Sequence, residues 1–429
     1  MIRICETRIG FEREPLLAPF GFKGAHVTEV WQTAALVESE NGLTGLGLGT
    51  QSPLWSDGGV FAAHGEEDAN RLMYEITRHA LREAEGMPFE NPVDLLTQLL
   101  PAAHAYGKEI ARSPDLRLTF ALNALMPVDT AAWQLYCAER GIAGFDRMLP
   151  EHVRPALSHR HDALACIPLM TYGASVEDVV RAVDEGHFLL KIKIGADPDK
   201  DGDPDKMLAW DSARLSAIHD AVKHRETPYT ESGRMLYYLD ANGRYDGRDR
   251  LMRLLDHAEG IGALDRIVLL EEPFPEEDET DVSDVPVRLA ADESAHSDMH
   301  AMERIDMGYT AIALKPIAKT VSMSLQIAYL AYEMGVPCFC ADLTVNSVLL
   351  DWNKNVAARM APLPCVKIGA FETNGHQNYR NWETMKSYHP RRGASWAKLA
   401  GGLFRLDDDF YACSGGILEM SEHYAALAS

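Results

Sequence analysis

The chain has 429 residues, which exceeds most single domains and suits a barrel that carries one appended domain. Hydrophobic residues make up 46% and charged residues 24%, a composition that supports a packed core and excludes a disordered chain. The formal net charge of −23 excludes an extended surface for nucleic acid or for an anionic membrane, because both require clustered lysine and arginine.

The first 150 residues predict an α+β domain. Strand-like runs cover 2–9, 29–37 and 43–50, and a tight turn at 40–42 joins the last two. The pattern turns helical from Glu66, and residues 118–137 carry Ala, Leu and Met at helical spacing. We expect helices packed on a small antiparallel sheet. Arg3, Glu6 and Arg8 interrupt the apolar N-terminus, which therefore does not read as a signal peptide.

From about Ile167, short apolar strands alternate with amphipathic helices, which is typical of β/α units around a parallel sheet. We predict eight strands, over 167–172, 188–194, 236–240, 267–271, 288–292, 311–315, 337–340 and 365–369. Eight strands favour a barrel over an open sheet.

Charged residues stand at or near the ends of the second to sixth predicted strands. They are Lys191 and Lys193, then Asp240, Glu271, Asp292 and Lys315. Lys191 and Lys193 share one side of their strand, because side chains alternate. A lone acid after a strand is usually a turn or helix-cap residue. The ordered recurrence, at the edge where barrel enzymes build their sites, indicates one shared site.

Seven scattered cysteines fit reduced thiols, and the one close pair, Cys338 and Cys340, fits strand packing. No apolar run reaches membrane-spanning length. We therefore predict a cytoplasmic protein with neither a nucleic-acid nor a membrane partner. An anionic small molecule stays compatible with the net charge, since local lysines and a divalent cation can hold a carboxylate.

The strand-end motifs resemble those of the enolase superfamily, most closely its muconate lactonizing enzyme subgroup in the mandelate racemase/muconate lactonizing enzyme family. They are Lys-x-Lys at 191–193, Asp-Ala-Asn at 240–242, Glu-Glu-Pro at 271–273, Asp-Glu-Ser at 292–294, and Lys315. Residues 128–133 also resemble the helix that precedes the barrel. The resemblance implies a modified (β/α)7β TIM barrel at 160–395 with an N-terminal α+β capping domain at 1–150. It also implies that residues 396–429 return to the cap.

The resemblance implies Mg²⁺ bound by Asp240, Glu271 and Asp292, although Mn²⁺ also suits oxygen ligands. The ion would stabilise the enediolate formed when a proton leaves the carbon next to a carboxylate. Lys193 would be the base on one face and Lys315 would face the other. Lys191 would tune Lys193 and contact the substrate carboxylate. A lysine base needs a lowered pKa, from burial, a neighbouring ammonium or the metal.

Two opposed lysines favour a racemase or epimerase. An acid-sugar or hydroxy-acid dehydratase or lyase, and a cycloisomerase, stay open because they start from the same enediolate. A non-catalytic binding protein on this fold is a second class. A metal hydrolase is disfavoured, since the sequence offers no second-metal or histidine-rich ligand set. The His-Asp dyad subgroup is disfavoured, because Lys315 occupies strand six and no histidine closes strand seven.

Substrate contacts follow from position in the family. The front-domain loop counterpart is 15–27, with Phe20 and Lys23, and Asp342 and Glu372 follow strands seven and eight. Dipeptide epimerases carry Asp-x-Asp where this chain has Glu372, Thr373 and Asn374, which argues against a dipeptide substrate. The family resemblance implies a homo-oligomer.

Three further features of the sequence are predicted to lie outside the metal site. Strand alternation predicts that Glu272 and Glu293 point away from the metal. The acidic run that begins at Asp197 resembles an EF-hand loop, but its twelfth position is Leu208 instead of a glutamate, which favours a surface turn. Residues 196–235 form an insertion relative to the family, and we expect it to lie away from the metal.

Overall fold

A computed structural model describes residues 1–22 and 25–429, so Lys23 and Gly24 lie outside the described residues. The front of the chain forms a cap with a four-stranded antiparallel sheet, in the order β3-β2-β1-β4. Its strands are β1 (Ile2–Phe22), β2 (Ala25–Ser39), β3 (Thr44–Thr50) and β4 (Pro88–Phe89). Its helices are α1 (Pro53–Ser56), α2 (Gly58–Ala84), α3 (Pro92–Ile110), α4 (Leu118–Ala124), α5 (Met126–Arg140) and α6 (Phe145–Met148).

The hairpin of β1 and β2 is longer than the sequence pattern indicates. Strand pairing continues from Ile4 opposite Ser39 to Phe22 opposite Ala25, with a register shift between Pro15 and Phe20. The expected loop at 15–27 is therefore strand over its described residues, with 16–19 in the register shift. The long hairpin carries Phe20 and Phe22 from the cap sheet towards the barrel.

Helix α5 packs directly on β3 because that strand presents glycines at alternate positions. A Cβ atom at Gly47 would lie 1.7 Å from the carbonyl oxygen of Pro127, and one at Gly45 would lie 2.2 Å from that of Ala131. Only glycine permits so close an approach of helix to strand. The contact ties the helix before the barrel to the cap sheet.

The barrel contains eight parallel strands. They are β5 with β6 (Ala163–Ile167 and Leu169–Met170), β7 (Leu189–Lys193), β8 (Leu236–Asp240), β9 (Ile267–Glu271), β10 (Leu289–Ala291), β11 (Ala311–Leu314), β12 (Cys338–Cys340) and β13 (Gly369–Glu372). Segments β5 and β6 act as one strand broken at Pro168, which has no N–H for the ladder. The former pairs with β13 and the latter with β7, which closes the barrel.

Two predicted strands were misplaced. The first begins four residues earlier than predicted, at Ala163. The eighth was predicted at 365–369 but runs over Gly369–Glu372, because Cys365 adopts a positive φ of 71° that a strand does not allow. As a result, Glu372 is the last residue of its strand and faces the same end of the barrel as the other strand-end groups.

Strand register aligns the charged residues of neighbouring strands. Lys193 pairs with Asp240, Asp240 with Glu271, and Glu271 with Ala290. Helices follow six of the first seven strands: α7 (Val176–Asp184), α8 (Pro204–Val222), α9 (Arg248–Gly260), α10 (Asp298–Asp306), α11 (Val321–Glu333) and α12 (Leu350–Ala357). Residues 272–288, between β9 and β10, contain no helix. This barrel under an α+β cap is the predicted fold class.

The segment after α8 covers the N-terminal mouth of the barrel, opposite the charged rim. Tyr229 stacks on Phe188 with ring centroids 5.4 Å apart, and Thr230 bridges to Val366. The part of the insertion after α8 thus lies away from the charged rim, as expected, whereas its first residues follow the C-terminal end of β7 on the rim side of the barrel. Before α8, Asp199 contacts Lys206 of that helix at 3.0 Å, so the EF-hand-like run forms an ion-paired surface turn.

The chain ends on the cap. After α13 (Gly375–Asn378) and α14 (Trp382–Ser387), the hairpin β14 (Leu399–Ala400) and β15 (Leu403–Arg405) pairs with β5. Helices α15 (Asp408–Cys413) and α16 (Glu422–Leu427) follow. The last helix contacts the cap sheet, where His423 Nε2 lies 2.8 Å from Glu12. Across the described residues, each helix is too short or too polar to cross a bilayer.

Candidate functional site

The C-terminal ends of the barrel strands form a buried charged rim. Lys191 and Lys193 lie on β7, Asp240 and Glu271 end β8 and β9, and Asp292 and Lys315 follow β10 and β11 by one residue. All six side chains line one cavity beneath the cap, and none is more than 7% exposed. The structure therefore brings together the six groups that the sequence singles out.

Asp240 joins the two lysines of β7. Its Oδ2 lies 3.0 Å from Lys191 Nζ and 2.6 Å from Lys193 Nζ. Lys191 also contacts Glu271 and Glu372, each at 2.9 Å. The Lys193 ammonium donates to Asn242 Oδ1 at 2.5 Å. A dense set of charge-assisted contacts fixes both lysines at the cavity wall.

Asp292 joins two further lysines on the opposite wall. Lys315 Nζ lies 2.5 Å from its Oδ2, and Lys319 Nζ lies 3.3 Å from its Oδ1. Lys319 is fully buried and also donates to the backbone carbonyls of Asp292 and Ala295, at 2.5 Å and 3.0 Å. Lys319 therefore anchors the turn that carries Asp292.

Three carboxylates converge closely enough to hold a cation. One oxygen from each of Glu271, Asp292 and Glu293 lies within 4.8 Å of the others. Buried Glu271 Oε1 and Glu293 Oε2 have no hydrogen-bond partner among the described residues. Asp240 stands beside this set, linked to Glu271 through Lys191. Hard, unsatisfied oxygens of this kind fit Mg²⁺ or Mn²⁺.

The expectation that Glu293 points away from the site is wrong. Strand β10 ends at Ala291, so strand alternation no longer orients the residues that follow it. Glu272 does lie outside the cavity, as expected: its Oε1 accepts from the backbone N–H groups of Asp292 and Ser294, at 2.6 Å and 2.9 Å. Glu272 thus shapes the turn that presents Asp292 and Glu293.

The surrounding carboxylates raise the pKa values of two rim lysines, Lys191 and Lys315. Burial lowers the pKa of Lys191, but Asp240, Glu271 and Glu372 outweigh it and hold that pKa well above the usual value. Burial is likewise outweighed at Lys315, chiefly by Asp292, and its pKa is raised to about 12. These carboxylates therefore do not supply the lowered pKa that a lysine base requires. Any cation bound by them would compete with the lysines for the same oxygens.

The acidic groups after strands seven and eight are already engaged. Asp342 Oδ1 accepts from the backbone N–H groups of Leu343 and Val345, at 2.7 Å and 3.1 Å, and its Oδ2 accepts from that of Asn374 at 2.7 Å. Burial, with Glu372 nearby, raises the pKa of Asp342 to about 6. Both predicted contacts line the cavity, with their carboxylates turned to protein partners.

The cap closes the cavity with an apolar wall that includes Leu16, Phe20, Phe22 and Trp55. The Trp55 ring lies 4.4 Å from Lys315 Nζ, and the Phe22 ring lies 5.4 Å from Lys193 Nζ. Phe20, a predicted contact, therefore reaches the cavity, while Lys23 lies outside the described residues. Aromatic faces favour a cation and exclude water from it.

A protein-family model described as "Enolase C-terminal domain-like" matches residues 174–382, which contain every strand-end motif of the rim. The chain therefore carries an enolase C-terminal domain-like region over these residues. Its fold is similar to that of a mandelate racemase/muconate lactonizing protein from Herpetosiphon aurantiacus, with 18% identity, a TM-score of 0.66, and coverage of 95% of this chain and 96% of that one.

Two other structures of similar fold carry named activities. A dipeptide epimerase from Enterococcus faecalis V583, complexed with Mg and L-Leu-L-Tyr, is 18% identical, with a TM-score of 0.64 and coverage of 94% of this chain and 97% of that one. An N-succinyl Arg/Lys racemase from Bacillus cereus is 14% identical, with a TM-score of 0.64 and coverage of 94% and 93%. Identities this low show a shared fold. No curated protein matches the chain in sequence.

Sequence reasoning missed three residues of this candidate site. Lys319 follows Lys315 by four residues, a spacing that could have drawn notice. Glu293 was noted in the sequence but was predicted to point away from the metal. Trp55 lies in a four-residue helix of the cap, and its sequence neighbours give no sign that it faces a barrel lysine.

Proposed function

We propose that the chain is a Mg²⁺-dependent racemase or epimerase that moves the proton on the carbon next to a substrate carboxylate. The observation that carries the proposal is the placement of Lys193 and Lys315. Lys193 ends the second strand and Lys315 follows the sixth, four strands apart in a barrel of eight, which supports a position on opposite sides of the cavity that both line. One ammonium or amine is thereby available to each face of a carbon held between them.

Each residue then has a physical role. Glu271, Asp292 and Asp240 or Glu293 would hold the ion, which when bound stabilises the negative charge that develops on the substrate carboxylate. Nζ of one lysine removes the α-proton, and Nζ of the other returns a proton to the opposite face, which inverts the centre. The cap aromatics exclude water from both lysines during transfer.

The substrate is proposed to lack a free α-ammonium group. Both carboxylate oxygens of Asp342 accept hydrogen bonds from backbone N–H groups, and Glu372 is paired with Lys191. Neither acid is free to accept an ammonium. An N-acylated amino acid with an apolar side chain suits these engaged acids and the apolar cap wall. The racemase and epimerase activities named for two structural neighbours support the reaction class.

The test is incubation of the Mg²⁺-loaded protein with both enantiomers of N-acyl amino acids in deuterated water. Proton NMR would follow loss of the α-proton signal, and polarimetry would follow inversion. Deuterium incorporation with inversion is expected. Loss of water to a keto acid, in a parallel screen of acid sugars, would replace the proposal with a dehydratase. Absence of exchange from every compound would reject it.

A further inference from the structure

In addition to the lysines that line the cavity, one lysine contacts the candidate cation site from the protein interior. Lys319 is fully buried and does not line the cavity, and its Nζ lies 3.3 Å from Asp292 Oδ1. Lys315 lines the cavity, and its Nζ lies 2.5 Å from Asp292 Oδ2. The two oxygens of Asp292 therefore differ, because one is paired with a cavity lysine and the other with an interior lysine.

The Lys319 ammonium is held more firmly than that of Lys315. Its Nζ donates to the backbone carbonyls of Asp292 and Ala295, at 2.5 Å and 3.0 Å. Together with Asp292 Oδ1, these carbonyls provide one neighbour for each of the three N–H donors of an ammonium. Among the described residues, Lys315 forms an ion pair with Asp292 alone. Lys315 is therefore the easier of the two lysines to move away from Asp292.

The backbone of Lys319 is also fixed on both sides. Its N–H donates to the carbonyl of Lys315 at 2.8 Å. Three residues later, the backbone N–H of Ser322 donates to Asp129 of the cap helix α5 at 3.1 Å. Thr320, between them, has a φ of 70°, which persists in a residue other than glycine only where the surroundings impose it. A retreat of Lys319 from Asp292 would thus disturb the joint between cap and barrel.

The number of oxygens that one carboxylate offers helps to decide which cation binds. Mg²⁺ demands nearly octahedral geometry, whereas Ca²⁺ accepts more oxygens and binds a carboxylate through one oxygen or through both. The two oxygens of a single carboxylate are too close together to fill two corners of an octahedron. A carboxylate limited to one available oxygen therefore suits Mg²⁺, and a second available oxygen favours Ca²⁺.

We propose that Lys319 sets the metal selectivity of the site by keeping Asp292 Oδ1 engaged, so that Asp292 offers a cation Oδ2 alone. Lys315 would leave Oδ2 when the cation binds, and its place in the open cavity allows that movement. Lys319 is then a positioning residue that acts through Asp292. This inference rests on the cation site of the proposed function, and it holds for racemisation and dehydration alike.

The test is titration calorimetry of the full chain with Mg²⁺ and with Ca²⁺, in the absence of substrate. The wild-type chain should bind Mg²⁺ more tightly than Ca²⁺. Lys319→Gln removes the charge beside Oδ1 but keeps amide donors for the two carbonyls. It should shift the ratio of the two dissociation constants towards Ca²⁺ by about 10-fold or more, the range for residues that orient metal ligands. Lys319→Met should shift the ratio in the same direction, with a lower melting temperature.

Lys354→Gln is the matched control for the loss of a buried lysine. Lys354 is also buried, and it joins Asp351, at 2.8 Å, to the backbone carbonyl of Trp396, at 3.0 Å, without lining the cavity. This variant should have a lower melting temperature and an unchanged ratio of the two dissociation constants. Melting of the metal-free variants shows whether each one is folded.

Three outcomes would overturn the role of Lys319 and leave the proposed reaction standing. They are an unchanged ratio in folded Lys319→Gln, an equal shift in Lys354→Gln, and a wild-type chain that binds Ca²⁺ at least as tightly as Mg²⁺. The last outcome requires no variant, so it applies even if both Lys319 variants fail to fold. A wild-type chain that binds neither ion would reject the role of Lys319 together with the Mg²⁺ dependence of the proposed function.

Discussion

The two walls of the cavity differ in chemistry. The barrel rim contributes lysines and carboxylates that are buried and paired with each other, such as Lys191 with Glu271 and Lys315 with Asp292. The cap contributes apolar and aromatic side chains, among them Phe22 and Trp55. Under the proposed function, the barrel would carry out proton transfer, and the cap would select and shield the substrate.

This difference also ranks the expected effects of substitution. Removal of one member of a buried ion pair leaves its partner charged and unpaired, which costs about 3–5 kcal/mol. Loss of one aromatic contact to a cation costs about 0.5–2 kcal/mol. Changes on the rim should therefore be more damaging than changes on the cap.

The largest effect is expected for Glu271→Gln, which removes a charged oxygen from the candidate cation site. Exchange of the α-proton should fall by at least about 1,000-fold, and titration calorimetry should show Mg²⁺ affinity lower by at least about 100-fold. Glu279→Gln, on an exposed part of the loop after β9, is the matched control. Unchanged Mg²⁺ affinity in Glu271→Gln would remove this carboxylate from the metal site.

The second prediction compares substitutions of Glu293 and Glu272, two buried glutamates that follow neighbouring barrel strands. Glu293→Gln should weaken Mg²⁺ binding by about 10-fold or more, because an unsatisfied carboxylate oxygen is lost. Glu272→Gln should mainly lower the melting temperature, since its Oε1 accepts three hydrogen bonds from Asp292 and Ser294. If the two variants bind Mg²⁺ equally well, Glu293 is not part of the cation site.

A smaller effect is expected on the cap. Trp55→Leu should slow exchange by about 2- to 30-fold, the range for a lost cation–π contact with Lys315. Trp55→Phe keeps an aromatic face and should recover most of the rate. A 1,000-fold loss of exchange rate in Trp55→Leu would show that the cap takes part in proton transfer. It would contradict the assignment of that step to the barrel alone.

The smallest effect concerns the joint between cap and barrel, where Asp129 of α5 accepts from the backbone N–H of Ser322 at 3.1 Å. Burial raises the pKa of Asp129 to about 7 in spite of the hydrogen bonds from Ser322. Since the folded pKa lies above the unfolded one, the stability linked to this proton is complete below about pH 4 and is lost as the pH rises towards 7.

Asp129→Asn has no titrating carboxyl group and should remove this dependence of stability on pH. Melting temperatures of the variant, relative to the wild-type chain, should rise between pH 5 and pH 8. Asp68→Asn, an exposed substitution on α2, is the control for the loss of one charge. A difference between Asp129→Asn and the wild-type chain that stays constant across this range would show that Asp129 does not titrate there.

Most of the rim was predictable from the sequence, whereas on the cap wall only the segment 15–27 with Phe20 was. Strand ends of a barrel share one edge, so Asp240 and Glu271 could be brought together from the motif order alone. Glu293 escaped because β10 ends before it, and alternation fails where a strand stops. Trp55 faces Lys315 through a contact between elements far apart in sequence, which local patterns do not encode.

The most direct test of the account is the stereochemistry of exchange in two single variants, Lys193→Gln and Lys315→Gln. Each Mg²⁺-loaded variant would be incubated in deuterated water with the separate enantiomers of one substrate, and the α-proton would be followed by NMR. Opposed lysines predict that each variant exchanges one enantiomer only, that the two variants differ in which one, and that neither inverts the centre. Loss of exchange with the same enantiomer in both variants would contradict two lysines on opposite faces.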